Sequence, residues 1–338
     1  MGRHTVSFLL EQGADVWVLN RGKTRNPFQQ QQVKVLKCDR MNEQKKFRRI
    51  LQHGKEDEDV PAESPKVKWH AVIDFVCFRR KGIEDILSAS GCIKHYVFIS
   101  SDSVFMACER SKIESYQSKS GLEEDHALPI NNKKSKREAK ERNYYQYEYG
   151  GGKLDCELCL QENSDRFDRY TILRLPDVIG PFDNLGSFMN LQKAILANET
   201  IGTRAVPDVS PDVHQISLCY APDVARVVLL LLLKGNHVFK NVFHIACTEK
   251  PTIPEYVNMV AEAVGVGCKQ DPELETELVS VDFGPISNEK AKKILQWQPT
   301  PLQEAICSTV NWYKDEENVQ YTSHLVDSSS SSSSSSGE

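Results

Sequence analysis

Tyr149 and Lys153 stand four residues apart in the run Tyr149-Gly150-Gly151-Gly152-Lys153, and Ser100-Ser101 close an apolar stretch upstream. On a helix, residues four apart share a face, so the phenol and the ammonium address one point. A nearby ammonium favours phenolate and draws the tyrosine pKa down from about 10 toward the working pH, as a general base for a sugar or alcohol hydroxyl requires. A serine of that pair would hold the same oxygen by hydrogen bond. The alternative is a surface tyrosine and lysine on an amphipathic helix. Three consecutive glycines cost about 1 kcal/mol each relative to alanine in a helix, which implies that something approaches the backbone closely there.

The elements that must position these residues follow from apolar periodicity. A helix is predicted over 4–12, strands over 16–19 and 33–36, a helix over 47–51 and a surface loop over 55–63. Continuous apolar strands are predicted over 70–76 and 95–100, of the kind buried on both faces. Residues 109–147 are polar, with a basic run from Asn131 to Arg142, and are read as a loop. A helix over about 149–162, a strand over 170–175 and a turn through Gly180-Pro181 come next. Asp223 is read as the cap of a helix through Leu233, followed by a strand over 241–245 and a helix from Ile253 carrying Val257, Val260 and Val264. Apolar, β-branched strands alternating with helices predict an α/β fold: a doubly wound parallel sheet with helices on both faces.

The chain has 338 residues, 40% apolar and 26% charged, with a formal net charge of −5. The longest apolar run, Val227–Leu233, is far short of the about 20 residues of a membrane-spanning helix, and no signal or transit peptide is read at the start, so a cytosolic protein is expected. Ten scattered cysteines are read as reduced. Cys156 and Cys159 form one C-x-x-C with no second pair at zinc-ligand spacing, so no metal is expected. The serine tract Ser328–Ser336 buries nothing and is expected to be disordered.

From Gly2 to about Tyr313 the chain resembles the extended short-chain dehydrogenases/reductases, the NAD-dependent epimerase/dehydratase family. The resemblance rests on Val97–Phe105, on Tyr149 and Lys153, on Arg174-Leu175-Pro176-Asp177-Val178-Ile179-Gly180-Pro181, on Tyr220–Ala225 and on Ser287–Pro299. It implies a Rossmann-like domain over 1–180, a smaller C-terminal substrate lobe over 181–320 with residues 216–247 returning to the sheet, and a tail over 321–338. It also implies Ser101, Tyr149 and Lys153 as catalytic residues, with Lys153 binding the nicotinamide ribose. The implied substrate is a nucleotide sugar or related hydroxyl compound, and a homodimer through helices including that of Tyr149 is consistent with the family.

By the same resemblance the cofactor is NAD or NADP, touched by Gly2, Asn20, Arg21, Lys23, Asp39, Arg40 and Pro176 besides Tyr149 and Lys153. An acidic residue normally binds the adenosine ribose at the end of the second family strand. Here that place reads Leu19-Asn20-Arg21-Gly22-Lys23, without a carboxylate and with two cations, which suits a 2′-phosphate and favours NADP. Gly2 would be the last glycine of the phosphate loop, so the first family strand is expected to be missing, as in a truncated form. Asp102 matches the acid of the dehydratases, but Ser103 follows where they carry Glu. Asp177 stands where many epimerases have a substrate-facing Asn, so its carboxylate would repel a diphosphate. A second function class stays open. Asn20-Arg21-Gly22 and Asp39-Arg40 resemble an atypical branch with RNA-binding members, and the cations of 133–142 could contact RNA. An inactive truncated form is a third possibility.

Overall fold

A computed structural model describes the chain except residues 24–25, 29–31, 57–64, 117–120, 184, 205–214, 276–277, 279–282, 316, 321–322 and 324–338. The serine tract and most of the 55–63 loop lie outside the described residues.

The chain opens with α1 (Gly2–Glu11), then β1 (Val16–Asn20), β2 (Val33–Lys37), α2 (Gln44–His53), β3 (Val72–Asp74), α3 (Arg80–Ser88) and β4 (Tyr96–Ser101). After β4 come α4 (Arg110–Tyr116), α5 (Lys133–Arg142), α6 (Tyr144–Glu162), β5 (Tyr170–Leu175), β6 (Asp177–Ile179), α7 (Ser187–Leu196), β7 (Thr200–Arg204) and β8 (Leu218–Tyr220). The chain continues through α8 (Ala221–Lys234), β9 (Asn241–His244), α9 (Ile253–Val264), β10 (Lys269–Glu275), α10 (Glu289–Leu295) and α11 (Leu302–Trp312).

The central sheet is parallel, in the order β3-β4-β5-β9. Successive residues of β4 point to opposite faces, and both faces are apolar. Tyr96 and Phe98 pack with Ile83 and Ile86 of α3 and with Cys156 and Leu160 of α6, whereas Val97 and Ile99 pack with Val224, Val227 and Leu231 of α8 and Leu295 of α10. Helices therefore cover both sides, and the fold is the doubly wound, Rossmann-like one that the alternating pattern predicts. A third cluster joins Phe188 and Leu191 of α7, Val257 and Val260 of α9 and Ile306 and Val310 of α11.

β1 and β2 form a separate parallel pair, in register from Val16 opposite Val33. Among the described residues no strand joins this pair to β3. The two pieces are held by side chains instead. The guanidinium of Arg40, just past β2, donates to both carboxylate oxygens of Asp74 at the end of β3 (2.8 and 2.7 Å), and the Tyr96 hydroxyl donates to the same carboxylate at 2.9 Å. Trp17 of β1 meets Trp69 edge to face at 5.3 Å between centroids. Because Arg40 links the carboxyl ends of β2 and β3, both pieces present their strand ends on one edge.

Several expectations are corrected. The predicted loop over 109–147 contains α4 and α5, and α6 begins at Tyr144 rather than near Tyr149. Helix α5 buries only Ala139, so it lacks the apolar stripe that marks a helix in sequence; its Asn132 cap and the pairs Lys134–Glu138 and Arg137–Glu141 support it locally. The strand predicted over 70–76 shortens to Val72–Asp74, at the edge of its sheet. Asp223 lies inside the first turn of α8, with Tyr220 as the cap residue. Its buried carboxylate accepts from the Thr300 amide and hydroxyl, at 2.8 Å each.

Candidate active site

β4 ends at Ser101, where the chain turns into a short 3₁₀ segment, Asp102–Ala107. The Ser101 hydroxyl caps this segment by accepting from the Ser103 amide at 3.1 Å. Helix α6 crosses directly over it. A side chain at Gly150 would place its Cβ 1.8 Å from the Ser103 carbonyl oxygen, and one at Gly152 would come within 2.5 Å of the Phe78 carbonyl oxygen. At Gly151 the nearest neighbour is the Ala107 methyl at 3.6 Å, an ordinary contact. The close approach implied by the glycine run is thus made at two of the three glycines, against two different backbone segments.

This packing brings Tyr149 and Ser101 together. Tyr149 is 41% exposed as a residue, and its phenol lies near Ser101, Asp102 and Asp177. Burial raises the Tyr149 pKa above its ordinary value, the Ser101 hydrogen bond opposes the shift, and the negative charges of Asp102 and Asp177 add to it. The expected lowering by Lys153 is therefore corrected. Lys153 is buried, its ammonium donates to the Ile99 carbonyl at 2.8 Å, and it lies 4.6 Å from the centroid of the Phe78 ring and 5.0 Å from that of Phe98. Desolvation lowers its own pKa. One N–H is committed to Ile99, and an ammonium has three, so donors remain for a ligand.

The carboxylates near the tyrosine are strained electrostatically. Asp102 is buried, and burial followed by the charge of Asp177 pushes its pKa well above the ordinary range. Asp177, which opens β6, is open to solvent at its surface yet deeply surrounded. Burial and the nearby Asp183 raise it to about 6.

Beneath these groups lies a charged network that sequence reading missed. Arg174 of β5 holds Glu157 of α6 through Nε and Nη2, the shortest contact being 2.7 Å, and the Ser100 hydroxyl donates to Glu157 at 2.5 Å. Arg174 also donates to the Glu124 carbonyl at 2.8 Å. Glu157 lies one turn beyond Lys153 on the inward face of α6, and a charged residue at that spacing was the available signal. Phe78, whose ring stands 6.2 Å from that of Tyr149, was likewise missed because nothing local links residues 71 positions apart.

The remaining predicted residues divide. Arg21 and Lys23 are exposed just beyond β1, and the Asn20 side chain shapes the turn by accepting from the Gly22 amide at 2.8 Å. Asp39 accepts from the Met41 amide and the Asn42 side chain, at 3.1 Å each. Arg40 is drawn into the fold by Asp74 and by the Gly82 carbonyl, with only 10% of its side chain exposed, so its cation serves the scaffold. Gly2 opens α1, where an added Cβ would meet only the Phe75 ring at 3.8 Å, and Pro176 is buried after β5. Among the described residues, no helix is long and apolar enough to cross a membrane.

A doubly wound sheet with a serine at the end of β4 and a Tyr-x-x-x-Lys helix packed over it is shared with a large class of dinucleotide-binding proteins. The chain belongs to the NAD dependent epimerase/dehydratase family, whose sequence profile matches residues 1–246. Comparison with curated proteins gave no match. Solved structures similar to it include UDP-glucose 4-epimerase from Thermotoga maritima with UDP-glucose, at 18% identity and a TM-score of 0.65, covering 93% of this chain and 95% of that one. UDP-glucose 4-epimerase from Thermus thermophilus in complex with NAD matches at 18% identity and a TM-score of 0.66, with the same coverage. UDP-glucuronic acid 4-epimerase from Bacillus cereus in complex with NAD matches at 18% identity and a TM-score of 0.63, again covering 93% and 95%. At this identity the likeness speaks for the fold.

Proposed function

We propose that the chain is an NAD(P)-dependent oxidoreductase or epimerase acting on a hydroxyl of a nucleotide sugar or related compound, with Ser101, Tyr149 and Lys153 as its working residues. The observation that carries this reading is the packing of α6 across the carboxyl end of β4, with Gly150 against the Ser103 carbonyl and the Lys153 ammonium on the Ile99 carbonyl, four residues along the helix from Tyr149. The similar structures crystallised with UDP-glucose and with NAD support the substrate and cofactor classes.

Bound NAD(P) would supply the hydride acceptor. Tyr149 exchanges the hydroxyl proton, Ser101 holds the substrate oxygen by hydrogen bond, and the free N–H groups of Lys153 bind the ribose. Because its pKa is raised, Tyr149 rests as the phenol and is set to donate a proton in the reductive direction. The residues fit a dinucleotide: Arg21 and Lys23 are exposed beyond β1 where a ribose-binding acid would otherwise stand, which favours a 2′-phosphate and NADP over NAD. Asp102 and Asp177 would be the acids on the substrate's side of Tyr149. The RNA reading receives less support, since Lys134, Arg137 and Lys140 of the basic helix pair with Glu138, Glu141 and Glu148.

Tyr149→Phe tests the reading. Turnover is expected to fall by about 10²- to 10⁴-fold, the usual worth of a general acid–base group, while NADP⁺ and NADPH still raise the melting temperature as they do for the unmodified chain. Retained turnover overturns the assignment.

A further inference from the structure

One pair of nucleophiles has no part in this mechanism. Cys77, in the segment after β3, and Cys156, on α6, place their sulfur atoms 4.0 Å apart, and both thiols are buried. We propose that Cys77 and Cys156 form a peroxide-oxidisable dithiol whose disulfide clamps the segment 75–79 onto α6 beside the candidate active site. A disulfide requires sulfur atoms about 2.05 Å apart, so closure asks for a movement of about 2 Å, within reach of side-chain rotation and a small shift of the segment. Access comes from that segment: Val76 and Phe78, on either side of Cys77, are 54% and 45% exposed, so a local opening presents the thiol without unfolding the sheet.

The two thiols are not equivalent. Cys77 lies in an irregular segment between the exposed Val76 and Phe78, whereas Cys156 lies within α6 and is buried against the sheet. Cys77 is thus the sulfur that a local opening presents to peroxide, and the one that attacks it. Its thiolate takes one oxygen of hydrogen peroxide, the O–O bond breaks, and the other oxygen leaves, with a proton, as water. The Cys156 thiol then attacks the Cys77 sulfenic acid, forms the S–S bond and releases a second water. Two thiols are oxidised by two electrons, and the peroxide is reduced by two.

The clamp acts on the site because the next residue is already in contact with it. The Phe78 carbonyl lies where a Cβ on Gly152 would stand 2.5 Å away, and its ring faces Lys153 and Tyr149. Drawing Cys77 toward α6 displaces Phe78, whose ring lies against the Lys153 ammonium. This second half of the proposal rests on the dinucleotide reading above; the cross-link itself does not.

The experiment treats the folded full chain with hydrogen peroxide, blocks free thiols, and maps digests without reductant. The expected result is a peptide pair joined through Cys77 and Cys156, about 2 Da lighter than the two free thiols and released by dithiothreitol. In Cys156→Ser, dimedone should label Cys77. Recovery of both cysteines in blocked form, or pairing of Cys156 with Cys159 instead, overturns the dithiol. Melting with NADP⁺ then tests the coupling. The cofactor-induced rise should be lost on oxidation and restored by dithiothreitol. An unchanged rise in cross-linked chain overturns the coupling. No rise even in reduced chain overturns the dinucleotide reading and the coupling with it, while the peptide map still decides the cross-link.

Discussion

Helices α5 and α6 meet at one residue and are stabilised by opposite means. Asn143 is the C-cap of α5 and the N-cap of α6, where its side chain accepts from the Gln146 amide at 3.1 Å. Helix α5 is charged almost throughout and buries one alanine, so it draws on propensity, its cap and ion pairs on its own surface. Helix α6 carries three glycines in succession and would be a poor helix alone. It is held because Lys153, Leu154, Cys156, Glu157 and Leu160 are buried against the sheet. The helix with the better local chemistry lies on the surface, and the one with the poorer local chemistry carries the site. Backbone contact across α6 requires glycine, and only tertiary burial offsets its cost.

The largest effect that would sharpen this contrast comes from Glu157→Gln. Removing the carboxylate leaves the Arg174 guanidinium buried without its counter-charge, and chemical denaturation should report a loss of about 3–5 kcal/mol. A loss below about 1 kcal/mol would mean that α6 does not depend on this pair. Gly150→Ala comes next. Its methyl meets the Ser103 carbonyl at 1.8 Å, so a loss of about 3 kcal/mol is expected, as in an overpacked core, whereas Gly151→Ala should be neutral or stabilise by up to about 1 kcal/mol through helix propensity. Equal responses at the two positions would break the account of the glycine run.

A pH-dependent test addresses the acids near Tyr149 of α6. A carboxyl raised to about 6 favours the folded state while protonated, so its contribution is complete below the ordinary value near 4 and is lost as pH rises through about 6. Asp177→Asn should therefore stabilise the chain at pH 8 by on the order of 1 kcal/mol, reduced by its solvent contact, with no gain at pH 4. The smallest effect belongs to α5. A double-mutant cycle on Lys134 and Glu138 should give a coupling of about 0.3–0.5 kcal/mol that fades with added salt.

What could be read from sequence follows the same division. Strand β4 was legible because burial on both faces leaves a continuous apolar run at 95–100. The strand end showed the Ser100-Ser101 pair, spacing put Tyr149 and Lys153 on one helix face, and the resemblance singled out Ser101. Helix α5 escaped a search for apolar periodicity because it has almost none, although Asn132 and the four-residue charge spacing were present. The partners of the site were illegible for a different reason. That Gly150 rests on Ser103, that Phe78 covers Lys153, and that Arg40 is claimed by Asp74 rather than left for a cofactor all depend on pairs dozens of residues apart, brought together by the crossing of α6 over the strand ends.

The contact between Gly150 and Ser103 also has a hereditary side. Every single-base change in a glycine codon that replaces the glycine with another amino acid introduces a residue with a Cβ, and at position 150 each of those would meet the same carbonyl oxygen. No first step away from glycine avoids the collision, so exploration of that position by point mutation has to begin with a compensating movement of the segment after β4, the same segment that fixes Ser101.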